Sequence, residues 1–251
     1  MLTCAPDPHT IHAVMNGEIQ PSPYATLEAA KEDRYGFNEP PLSPAVEQAR
    51  EGPVIIGLYS PMSHMGKSTL AKLVADKISC SEGVMSTDIR PFAGPLRAIC
   101  SLALSRVGVR NPHKAMTEGK DRPLDVLDGK TPRQLMIDIG THGLRAVSNN
   151  YFIKALAHDI AFNPFPFIIV DDVRFANEAW WVVSRRGILV RVEREVDQAD
   201  GQTKQYEGQL EQMRGLFQFD IVNPTMADLD IWARRIAAEA ISRRYGGQPR
   251  H

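Results

Sequence analysis

The sequence predicts an α/β fold in which a mainly parallel sheet is covered by helices on both faces. Three observations carry that expectation. From residue 53 onward, short apolar runs alternate with segments whose apolar residues recur at helical spacing. The first run is followed closely by Gly66-Lys67-Ser68-Thr69, at the start of such a segment. A later run, Phe167–Val170, is closed by Asp171-Asp172. Carboxyl ends of strands are where open α/β sheets hold their ligands.

The elements follow in order. Pro53–Tyr59 reads as a buried strand and Lys67–Ile78 as a helix with Leu70, Leu73, Val74 and Ile78 on one side. Gly83–Ser86 is the candidate second strand, and Phe92–Val107 a helix with Leu96, Cys100, Leu102 and Leu104 inward. Asn111–Lys130 is polar and carries Pro112 and Pro123, so it reads as a surface loop or a mobile insertion. Thr131-Pro132 is a good helix start for Thr131–Val147, and Tyr151–Phe162 is a further helix. After Phe167–Val170 come a helix over Asn177–Arg185, a strand over Gly187–Val192, a short strand over Phe219–Val222 and a helix over Met226–Arg244. Trp180 and Trp181 are adjacent, so at least one should enter the core, and Phe162, Phe165 and Phe167 read as packing residues. Residues 1–50 are different. Seven prolines with little periodicity make them an extension before a domain over 51–251, with short helical pieces near Ala25–Asp33 and Pro44–Glu51.

Composition narrows the function. The 251 residues are 43% hydrophobic and 24% charged, as in a globular protein of one large domain, or of one domain plus appendages. A net charge of −1 provides no general basic field for nucleic acid, so any grip on a polyanion is local. Cys4, Cys80 and Cys100 follow no metal or redox spacing, which favours a reducing compartment. No apolar stretch approaches the ~20 residues that span a bilayer, and the N-terminus lacks the order of a signal peptide. The expected location is cytoplasmic, with no membrane partner.

The segment Gly57-Leu-Tyr-Ser-Pro-Met-Ser63-His64-Met65-Gly66-Lys67-Ser68-Thr69 carries the sharpest chemistry. A loop between a strand and a helix start aims several backbone N–H groups at one point, and the helix dipole adds positive potential there. Residues 63–69 are therefore the candidate cradle for ATP phosphates. Lys67 would reach the β/γ-phosphates and the Ser68 hydroxyl would ligate Mg²⁺. Pro61 stands where the usual pattern has a glycine, so the loop entrance must differ.

At the acidic strand end, Asp171 is the candidate metal-side carboxylate. Either Asp171 or Asp172 could hold Mg²⁺ through water or orient an acceptor hydroxyl, and Arg174 could clamp a phosphate. Asp88 and Arg90 follow the second predicted strand and are candidate substrate contacts, with a simple ion pair the blander option. His142 and His158, without partners at metal spacing, read as structural.

Taken together, these residues resemble the bacteriophage deoxynucleoside monophosphate kinases, within the P-loop nucleotide kinases. The resemblance spans about residues 53–244. It rests on Gly66-Lys67-Ser68-Thr69, Phe92-Ala-Gly-Pro-Leu-Arg97, Thr131-Pro-Arg133-Gln-Leu with Gly140 and Arg145, and Val170-Asp-Asp-Val-Arg174-Phe-Ala-Asn-Glu178. Gly187-Ile-Leu-Val-Arg191-Val-Glu-Arg194 and Asp220-Ile-Val-Asn223 complete it. The resemblance implies a three-layer α/β/α P-loop kinase using ATP and Mg²⁺ on a deoxynucleoside monophosphate. It implies acceptor-side or transferred-phosphate arginines at Arg97, Arg133, Arg145 and Arg174. It also implies an ATP-covering arginine at Arg194, on a cover segment of about residues 193–215. Glu207-Gly-Gln-Leu-Glu211 departs from the family's segment before the last strand, keeping Glu211.

The expected activity is transfer of the ATP γ-phosphoryl group to a deoxynucleoside monophosphate, with Lys67, Asp171, Asp172, Arg174 and Arg133 as the catalytic set. Two alternatives stand beside it. One is phosphorylation of a hydroxymethylated base, such as 5-hydroxymethyluracil, in phage DNA; the other is a non-catalytic ATP-binding switch. The partners expected are a nucleotide acceptor or modified DNA, with a homodimer left open.

Overall fold

The computed structural model describes residues 52–62, 65–82, 86–163, 165–194 and 210–246. The expected extension over 1–50, the loop residues Ser63 and His64, and most of the expected cover segment lie outside the described residues.

One five-stranded sheet has the order β2-β3-β1-β4-β5, with every neighbouring pair parallel. Its strands are β1 (Val54–Tyr59), β2 (Thr87–Ile89), β3 (Phe167–Val173), β4 (Ile188–Glu193) and β5 (Phe219–Val222). The helices are α1 (Lys67–Glu82), α2 (Gly94–Arg106), α3 (Pro112–Thr117), α4 (Pro132–Ile137), α5 (Tyr151–Ala161), α6 (Ala176–Ser184) and α7 (Met226–Tyr245). A π-helical segment, Asp138–Arg145, continues α4. No helix among the described residues is long and apolar enough to cross a membrane.

Strand alternation sorts the layers. Ile56 and Leu58 of β1 join Leu70, Val74 and Ile78 of α1 and Leu229, Ala233 and Ile236 of α7 in one core. Gly57 points the other way, toward Val182 of α6 and Leu189 of β4. Helices thus cover both faces and the chain forms three layers, α/β/α, as the sequence predicted. β1 sits centrally between β3 and β4 and is buried in all but its first residue. A strand without a wet face needs a continuous apolar run, which is what made it legible.

Several local expectations need correction. The described second strand is Thr87–Ile89, in register with Phe167–Ile169, while residues 83–85 of the expected strand Gly83–Ser86 lie outside the described residues. β2 is a half-exposed edge strand, so β-branched Thr and Ile matter more there than apolarity. The expected loop 111–130 contains α3, started by Asn111 accepting from Lys114 N and anchored by buried Met116. Leu102 faces solvent at 59% exposure, while Cys100 and Leu104 are inward. Phe162 is likewise exposed and rests against His158. Trp181 is buried and meets Phe92 edge to face. Thr131 and Gln134 form a reciprocal cap at α4, as Thr131-Pro132 promised.

Candidate active site

β1 delivers the chain to the loop that precedes α1. Gly66 adopts φ +93°, a conformation costly for any residue with a Cβ. The first bond of the helical ladder runs from Leu70 N to Gly66 O. The amides of Lys67, Ser68 and Thr69 therefore precede the ladder, as at any helix start, and the helix dipole places positive potential on them. The Lys67 ammonium folds back to donate to Ser60 Oγ, and Ser60 Oγ donates to Met62 O at 2.6 Å. Met65 is buried, and its sulfur accepts from Arg194 N at 3.2 Å, pinning the end of β4 to the loop. The Arg194 stem also runs past Gly66, where a Cβ would lie 3.9 Å from Arg194 Cδ. Arg194 thus stands beside the loop that the sequence paired it with.

The carboxyl end of β3 faces this loop. Gly57 pairs with Val170, but Tyr59 pairs with Val173, so β3 carries one residue more than β1 across Asp171-Asp172. Asp171 projects toward α1, where Ser68 Oγ donates to Asp171 Oδ2 at 3.1 Å. Asp172 projects to the opposite face. Its carboxylate accepts from Phe92 N at 2.7 Å and Ala93 N at 3.0 Å, holding the chain that enters α2. The extra residue then returns Val173 to the face of α6 against Gly57. The sequence placed both aspartates in the catalytic set, with Asp171 the metal-side candidate; alternation along the strand gives them different partners. Asp172 is buried, and its pKa is raised by that burial and by the charge of Glu178, against the pull of the Ala93 amide.

The arginines also separate. Arg174 and Arg97 are exposed, and neither guanidinium is held by a hydrogen bond or ion pair among the described residues. Arg133 grips Asp121 with both ends of its fork, through Nε to Oδ1 and through Nη2 to Oδ2 at 2.9 Å. Arg145, expected on the acceptor side, is committed elsewhere. It donates to Glu178 Oε1 at 2.5 Å and Asn149 O at 3.3 Å, and lies over the Phe175 ring at 3.9 Å and the Phe152 ring at 4.8 Å. Its charged partner Glu178 is 33 residues away in sequence, so nothing local announced that pairing.

Asp88 and Arg90 line an open groove of about 520 Å³ at the end of β2, with Pro91, Gly94, Pro95, Leu156 and Asp159. Arg90 Nε donates to Asp88 Oδ2 at 2.6 Å, and Asn163 Nδ2 donates to the same oxygen at 3.2 Å. The ion pair and the groove coexist. His142 and His158 are exposed, and no cluster of three metal-binding side chains occurs among the described residues.

Sequence reasoning quoted Glu178 and Arg191 without giving either a task. Glu178 is 1% exposed. Its Oε2 accepts from Arg174 N at 2.9 Å and Phe175 N at 3.1 Å. The signal existed, because a Glu three residues past a helix-entry residue is a capping pattern. Arg191 is fully buried on β4 and binds Glu193, Glu211 and Asp220. That grouping joins β4, β5 and a 3₁₀ turn at Glu211–Leu216, and no sequence spacing reveals it.

With this geometry established, comparison with known proteins adds one finding. No protein-family model matches the chain. A protein of Acanthamoeba polyphaga mimivirus named "Putative deoxynucleotide monophosphate kinase" is 28% identical to it over 155 residues, which is 56% of this chain and 74% of the relative. The three-layer α/β/α fold is consistent with that distant likeness.

Proposed function

We propose that this protein transfers the γ-phosphoryl group of ATP to a deoxynucleoside monophosphate. One observation carries the reading: the helix-start loop with Lys67 and Ser68 meets the acidic end of β3, with Ser68 Oγ 3.1 Å from Asp171 Oδ2. A hydroxyl and a carboxylate brought together are hard oxygen donors, the set that suits Mg²⁺. Ser68 and Asp171 would hold the ion, which neutralises charge on the phosphate oxygens when bound.

In the reaction, an acceptor phosphate oxygen forms a bond to the γ-phosphorus while the bond to the β–γ bridging oxygen breaks, and ADP leaves. Lys67 and the amides of residues 66–69 hold the donor phosphates. Arg194, beside Gly66, covers the donor side. Arg174 and Arg97 are exposed cations that can meet charge on the transferring group and the acceptor. The groove around Asp88 and Arg90 is the candidate seat for the acceptor nucleoside. Arg133, whose fork is bonded to Asp121, is a further candidate cation for the acceptor side.

The test is incubation with γ-labelled ATP and Mg²⁺ against each deoxynucleoside monophosphate and against DNA carrying 5-hydroxymethyluracil. Label on a monophosphate, lost in Lys67→Ala without loss of fold, is the expected result. Label on the DNA alone would replace this acceptor with the modified base. Tight ATP binding with no transfer to either would point to a nucleotide-sensing module.

A further inference from the structure

Arg174 is carried on the short turn between β3 and α6, and an exposed arginine on a turn is ordinarily free to wander. Here the turn is fastened from below. Both of its amides, Arg174 N and Phe175 N, donate to one oxygen of buried Glu178, at 2.9 Å and 3.1 Å. The other oxygen of Glu178 receives Arg145 Nη2 at 2.5 Å. The Arg145 guanidinium then lies over Phe175, the second residue of the same turn, and over Phe152 of α5. Arg145 comes from the last turn of the π-helical segment, whose Gly140 is packed so tightly on Leu96 of α2 that a Cβ would lie 2.7 Å from Leu96 Cδ2. The side chain of Asn177, next to Glu178, donates to Asn149 O at 3.2 Å and Asn150 Oδ1 at 2.8 Å, tying α6 to the start of α5.

We infer that Glu178 and Arg145 are positioning residues that aim Arg174 at the transferring phosphoryl group. The inference rests on the kinase reading above. The physical reason is twofold. A helix-start carboxylate that takes two consecutive amides fixes the φ/ψ of the turn that bears Arg174. A carboxylate buried without a cation beside it is costly, and Arg145 is the cation beside Glu178. The planar fork suits the task because it bonds Glu178 in its plane while its faces stack on two rings. Arg145 therefore acts on the reaction through Arg174 without touching either substrate.

A double-mutant series tests this. Glu178→Gln offers the amides only a weaker, uncharged acceptor and loses the charge that Arg145 needs. Arg145→Lys keeps the charge but loses the fork. In the Arg174 background, each is expected to lower kcat on the order of 10²-fold, the cost of about 1 Å of misplacement, with KM for ATP unchanged. Added to Arg174→Ala, Glu178→Gln should change kcat by less than about 2-fold, because positioning an absent side chain is worth nothing. An equal loss in both backgrounds would overturn the inference and leave Glu178 a general stabiliser. Amide hydrogen exchange reads the support independently of any activity. In Glu178→Gln, the amides of Arg174 and Phe175 should exchange faster while that of Ile56, in the central strand, does not. Unchanged protection at both amides refutes the support, whereas absence of transfer by the wild-type protein refutes the kinase reading alone.

Discussion

The separation of Asp171 from Asp172 gives the most exposed prediction, because adjacent carboxylates should fail in opposite ways. Asp171→Asn alters a half-buried group that accepts from the Ser68 hydroxyl. Its stability should stay within about 0.5 kcal/mol of wild type, as for most surface changes. Its kcat should fall by ~10² to 10³-fold, the range for loss of one fixed electrostatic group. Asp172→Ala strips the acceptors from Phe92 N and Ala93 N, both bonded to a buried carboxylate. A stranded buried donor costs ~1–3 kcal/mol. Relief from burying a charge beside Glu178 offsets part of this, so a net loss of about 2–3 kcal/mol is expected. For a domain of this size that is a fall in Tm of about 5–10 °C. The sign of the pH dependence follows from burial. Asp172 holds its proton more tightly folded than unfolded, since desolvation and Glu178 raise its pKa. Its ionised form therefore costs stability at neutral pH, and that cost is relieved as pH falls through the folded pKa. The advantage of wild type over Asp172→Ala should thus grow on acidification. Differential scanning calorimetry across that pH range, with kcat measured on both variants, decides the matter. If Asp172→Ala melts with wild type while losing activity as Asp171→Asn does, the assignment of the two faces is wrong.

Two other sites give independent checks. A Cβ at Gly57 would meet Val173 Cγ2 at 3.0 Å and Leu189 Cδ1 and Val182 Cγ2 at 3.1 Å. Gly57→Ala should cost about 1–3 kcal/mol by overpacking, lowering the urea midpoint with m unchanged, and Val182→Ala in the same chain should restore part of it. Arg191→Met leaves Glu193, Glu211 and Asp220 around an uncharged side chain and should cost ~3–5 kcal/mol in urea unfolding. Burial pushes the Glu211 carboxyl up, but hydrogen bonds from Arg191 and Arg214 outweigh it and hold its pKa below the usual range. That stabilisation is present above the unfolded carboxylate pKa and is lost as pH falls through the folded value, so Arg191→Met should flatten the acid limb of the stability profile.

The elements that were legible in the sequence share a cause. β1 and β3 are buried on both faces, so their apolar runs are continuous, and α1 and α7 present apolar stripes to one core. Edge strand β2 has no such run, and the pattern did not reach Thr87–Ile89. Helix α3 hid in a polar stretch because six residues and one buried methionine leave little periodicity. The places of Lys67 and Ser68 at a helix start and of Asp171 at a strand end were legible because both are local patterns. Leu102 and Phe162 were misjudged because apolarity alone does not say which side of a helix is covered.

By itself, the sequence determined that strands and helices alternate, that a lysine and a serine open the first helix, and that two carboxylates close the third strand. Only the tertiary structure decided that one carboxylate faces Ser68 while its neighbour holds the entry to α2, and that Arg145 serves Glu178 instead of solvent. The reason is range: backbone propensity and strand period act over a few residues, whereas Ser68 and Asp171 are 103 residues apart. Which partner a charged side chain finds at that separation depends on strand order and on a single added residue in β3, neither of which leaves a periodic trace in the chain.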